Sequence, residues 1–108
     1  MQTIIYGGDA YLTWDDIADA LLAYGRALGE EVRAELVEIP VREPDGAVVT
    51  AKFLIGPASQ IVAKEMPDGG PELEDPELVD RLRTLTRGVE SPTGAQVEMR
   101  DDTTYDLG

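Results

Sequence analysis

The sequence has no cysteine and no histidine. The first absence excludes disulfides and thiolate metal sites. The second removes the side chain most used for acid–base chemistry near neutral pH, together with Ser-His and Cys-His nucleophile pairs and most zinc or copper sites. Ser59 and Ser91 therefore have no imidazole to activate them. Cations are scarce as well: nine Lys and Arg stand against 22 Asp and Glu, a net charge of −13, and only Lys52 and Lys64 are lysines. Such a chain repels nucleic-acid phosphates and anionic membrane surfaces and attracts basic partners. No apolar run approaches the roughly 20 residues of a membrane span, and the first six residues lack the basic region of a signal peptide. A cytoplasmic location is expected. Neither GxGxxG nor GxxxxGK[ST] occurs, so no cofactor is expected.

What is present is a chain of single-domain length, 108 residues, with ordinary apolar content. Residues 2–6, rich in β-branched side chains, predict a strand. Gly7–Gly8 follow as a bend with positive φ. Thr13 then has the character of a helix N-cap, with Asp16 three positions on and Asp15 and Asp16 in a first turn that favours carboxylates. Ile17, Leu21, Tyr24 and Leu28 recur at helical spacing, which predicts a helix over 14–28 that stops at Gly29.

Residues 32–43 predict a strand, placed at a sheet edge or with its amide facing outward because Pro40 cannot donate to a ladder. The turn at 43–46 leads into 47–55, where Ala47, Val49, Ala51, Phe53 and Ile55 form one apolar face with Thr50 and Lys52 opposite. These two segments form a hairpin, and 60–66 extends it as the third strand of a meander, with a helix over 58–66 as the alternative that Ala58, Ile61, Val62 and Glu65 allow. An acidic loop at 67–75 precedes a second helix over 76–87, capped by Asp75, opened by Pro76 and ended by Gly88. Leu78, Leu82 and Leu85 are its apolar stripe, and Glu77–Arg81 is spaced for an ion pair. The order β-α-β-β-(β)-α-(β) predicts an α+β domain over 1–88: a small, mainly antiparallel sheet with two helices on one face. Residues 89–108 read as an extension, with a short strand where Ala95, Val97 and Met99 alternate, then a solvated tail.

Candidate sites follow from the acids. The Gly7–Gly8 turn is no phosphate cradle: residues 1–25 contain no Lys or Arg, and Asp9, Asp15 and Asp16 would oppose an anion. Asp9, Asp15, Asp16 and Asp19 offer hard oxygens for magnesium or calcium, without the spacing of an EF-hand loop. A second cluster, Asp68, Glu72, Glu74, Asp75, Glu77 and Asp80, is suited to a basic partner or to calcium. Tyr11, which falls outside any predicted element, joins Glu72, Glu74, Asp75 and Glu77 as the expected partner contacts.

The expected function is binding of a basic protein partner without catalysis, in an inhibitor, immunity-like, antitoxin-like or adaptor role. A homodimer through the edge strand at 32–43 is compatible with it. The alternatives are a DNA mimic, a metal-dependent enzyme working through Asp9, Asp15, Asp16 or Asp19, and a salt-adapted domain.

Overall fold

The computed structural model describes residues 1–67 and 72–90. Seven elements follow in chain order: β1 (Gln2–Tyr6), β2 (Asp9–Thr13), α1 (Asp15–Glu30), β3 (Glu35–Arg42), β4 (Val48–Ile55), β5 (Val62–Glu65) and α2 (Pro76–Glu90). The strands form one sheet in the order β4-β3-β2-β1-β5, with every neighbouring pair antiparallel. The expected α+β architecture is therefore found, with differences that each have a local cause. The strand expected within 89–108 lies outside the described residues.

Gly7 and Gly8 do more than bend the chain. Both hold positive φ, 63° and 88°. They form a two-residue turn between the paired residues Tyr6 and Asp9. That turn matches the right-handed twist of an antiparallel pair, so the chain folds straight back as β2, an element the sequence analysis missed. Tyr11 consequently lies inside a strand, half-buried, with its ring edge-on to Phe53 at 5.0 Å.

Thr13 is not the helix cap. It ends β2, fully buried, and its hydroxyl donates to the Pro40 carbonyl at 2.8 Å. Trp14 occupies the N-cap position and supplies no side-chain capping bond. At the other end, α1 runs through Gly29. Its stop lies at Val32, which adopts φ 54° while Arg33 N–H bonds Leu28 C=O at 2.9 Å and Val32 N–H bonds Gly29 C=O at 3.3 Å. This is a Schellman closure built on a valine where glycine is usual.

β3 is not an edge strand. Its partner on one side is β4, over the full register from Glu35↔Ile55 to Arg42↔Val48. On the other side Leu12↔Arg42 is its one registered pair with β2. Alternation places the carbonyl and ring nitrogen of Pro40 on the β2 side, where the ladder has already given way to the Thr13 hydroxyl. The proline therefore removes no ladder bond. The edges are β4 and β5, and the meander expectation also fails: β5 crosses the molecule to pair with β1, from Gln2↔Glu65 to Ile5↔Val62.

The core lies between the helices and one sheet face. Ile17, Leu21 and Leu28 of α1 meet Ile4 of β1, Ile39 and Val41 of β3, and Ile55 of β4. Phe53 links the two halves of the sheet, with its ring 5.7 Å from Tyr6 and 5.0 Å from Tyr11. In α2 the buried stripe is Leu78, Val79, Leu82, Thr86 and Val89, while Leu85 is exposed. Burial of Val89 carries the helix past Gly88 to Glu90. Glu77 and Arg81 form no ion pair within the described residues.

Candidate acidic site at the helix entrances

The two acidic clusters are far apart in sequence but meet in space. α1 packs against α2, and one open groove of about 300 Å³ receives residues from both. Asp16 and Ile17 come from the first turn of α1, Leu73 to Pro76 from the segment before α2, and Val79, Asp80 and Arg83 from α2 itself. Ile17 and Val79 are buried and give it an apolar floor. Leu73, exposed, stands at its side, and Asp16, Glu74, Asp75 and Asp80 supply the carboxylates.

Glu72 fastens this end of the molecule. One of its carboxylate oxygens accepts the Asp15 backbone N–H at 3.1 Å, capping α1 from 57 residues away. The other accepts the Met1 ammonium at 2.9 Å, and Asp15 Oδ1 lies 3.1 Å from the same ammonium. The bond from Glu72 is the main cause that holds the Met1 ammonium above its ordinary pKa of 8.0; burial opposes it, and Asp15 adds to it. Asp75 is also engaged, because its Oδ1 accepts the Leu78 N–H at 3.2 Å and caps α2. Both helix entrances are thus closed by carboxylates, which suits the positive ends of the helix dipoles.

The remaining predicted residues divide. Asp16, Glu74 and Asp80 line the groove, and Glu77 lies one helical position beyond Pro76 on exposed surface. Asp19 turns away and accepts the Gln2 side-chain amide at 3.1 Å. Asp9 sits beside the Gly7–Gly8 turn at the opposite end of β2 from Thr13 and α1. Among the described residues no three acids gather closely enough to hold a metal ion. Tyr11, on the helix-covered side of the sheet, does not line this groove. Asp68 lies outside the described residues.

Sequence reasoning missed Glu72 as a remote cap and Leu73 as part of the groove. A signal for Leu73 was present, as an isolated large apolar residue in an acidic, proline-rich stretch. No such signal existed for Glu72, whose partners are backbone and terminal groups. Ser59 has a structural role: it accepts the Gly56 N–H at 3.0 Å and shares a hydrogen bond of 2.8 Å with the Tyr6 hydroxyl, which also donates to the Leu54 carbonyl. Among the described residues no helix is long and apolar enough to cross a membrane. Comparison with protein-family models, with curated proteins and with solved structures finds no match.

Proposed function

We propose that this protein acts by binding a basic protein partner at the shared entrance of α1 and α2. The observation that supports the reading is the convergence of the two acidic clusters on one groove with an apolar floor. Glu72 and Asp75 are committed to the fold there. Asp16, Glu74, Glu77 and Asp80 are the carboxylates left to meet a ligand. An exposed carboxylate pair is worth little singly. Three around an apolar seat, with Glu77 beside it, suit a segment that brings both Arg or Lys and a hydrophobic anchor. No reaction is assigned to the site.

The test is capture from a lysate of the source cell by the wild-type protein and by the triple variant Asp16→Asn, Glu74→Gln, Asp80→Asn. A control variant, Glu30→Gln, Glu31→Gln, Glu43→Gln, matches its net charge with changes elsewhere. The expected result is one stoichiometric basic protein, held by wild type and control at about 0.05 M salt, released at about 0.5 M where screening is short-ranged, and not held by the triple variant. Equal retention by all three proteins would sink the proposal, as would the absence of any such protein.

A further inference from the structure

β3 lies inside the sheet, yet part of its β2 side is open. The Pro40 carbonyl meets the Thr13 hydroxyl on that side. Alternation along an antiparallel ladder turns the N–H and C=O of Leu36 and Glu38 the same way. β2 is registered with β3 at Leu12↔Arg42 alone, and its chain leaves as α1 after Thr13. Among the described residues no partner is found for the Leu36 and Glu38 backbone on that side. A strand flank of this kind is a template for an added strand.

An open groove of about 250 Å³ runs beside it. β3 contributes Leu36 and Glu38, α2 contributes Leu82 and Leu85, and the buried Tyr24 and Val37 give it an apolar base. Leu85 shares the helical spacing of Leu78 and Leu82, yet it is 42% exposed, and Leu36 is 59% exposed. Charge here is balanced, with Arg81 set against Glu38, unlike the acidic groove that α2 forms with the start of α1. The groove therefore suits an extended segment of low charge with apolar residues at every second position, and not a basic ligand.

The chain carries such a segment close by. α2 ends at Glu90, and Ser91-Pro92-Thr93-Gly94 follows, a composition that stops a helix and favours a turn. Ala95, Val97 and Met99 then alternate with Gln96 and Glu98. The reach is sufficient. Leu85 lies five residues before the end of α2, about 7.5 Å along a helix. Four extended residues span up to about 13 Å, so a chain that reverses after Glu90 comes back beside Leu85.

We infer that residues 95–99 add to the open flank of β3 as a short strand, with Val97 turned into the groove against Leu82 and Leu85. The added backbone satisfies Leu36 and Glu38, and the inward side chains cover Leu85. This contact leaves Asp16, Glu74 and Asp80 free, so it stands or falls independently of the basic partner.

Amide hydrogen exchange of the full chain, read residue by residue by NMR, tests it. The Leu36 and Glu38 amides should exchange about tenfold or more slowly in wild type than in Val97→Asp, which puts a charge into the apolar groove. Val37 and Ile39, whose amides face β4, should exchange equally in both proteins. Thr103→Asp, with the same added charge beyond the segment, should keep the wild-type protection. Fast exchange of Leu36 and Glu38 in wild type would overturn the inference. So would protection that survives Val97→Asp, the result expected if a second copy or another protein fills the groove, and so would an equal loss in Thr103→Asp.

Discussion

Thr13 separates two accounts of how β2 passes into α1, and three substitutions there give different answers under each. If the side chain capped the helix, Asp or Ser would replace it without loss, and Val would cost about 1 kcal/mol. In the structure the hydroxyl is fully buried and donates to Pro40 C=O at 2.8 Å. Thr13→Val keeps the shape and strands that carbonyl, at a cost of about 1–3 kcal/mol; Pro40 is half-buried, which favours the lower half of that range. Thr13→Ser keeps the bond and loses one buried methyl group, for about 1 kcal/mol. Thr13→Asp places a carboxylate with no donor against a carbonyl oxygen, and should exceed about 3 kcal/mol or prevent folding. Urea titration followed by far-ultraviolet circular dichroism measures all three. Each kcal/mol should also lower the melting temperature by about 4 °C in a domain near this size. The order of stability is expected to be wild type, then Ser, then Val, then Asp. A Thr13→Asp protein as stable as wild type would refute the structural role and restore the cap.

Two further outcomes follow from the same reasoning. The Met1 ammonium, raised above 8.0 by Glu72 and Asp15, should add stability in full below pH 8 and lose it as pH climbs through the raised value. With partners that are half-exposed, the effect should stay within about 1 kcal/mol, and denaturant titrations from pH 7 upward should show a shallower decline in Glu72→Gln. Val32 holds φ 54° with its side chain 76% exposed; Val32→Gly or Val32→Asn should therefore raise stability, by up to about 1 kcal/mol, and a fall in the urea midpoint for both would show that the valine is not strained.

The helices were legible because their signals are local. Asp75-Pro76 and the leucine spacing of α2 need no distant partner to be read, and neither does the Ile17–Leu28 stripe of α1. The hairpin of β3 and β4 was legible for the same reason, through its turn at 43–46 and the alternation on either side. What escaped was decided by tertiary partners. Thr13 carries the composition of a cap, but Pro40, 27 residues away, claims its hydroxyl. Gly29 is a plausible stop, yet burial of Ala27 and Leu28 together with the Val32 closure extends the helix. The acids of the candidate site were visible one by one. Their division into caps and groove lining was not, because it depends on α1 packing against α2.

The position of β1 has a consequence for the order in which the sheet can close. One of its flanks is satisfied at once by the nearby β2, two residues further along the chain. The other flank must wait for Val62–Glu65 and for the Met66 amide that bonds Met1 C=O at 2.9 Å. Closing so wide a loop is entropically slow. Until β5 docks, β1 exposes the flank that β5 shields, and completing the sheet is the pairing with the longest loop to close.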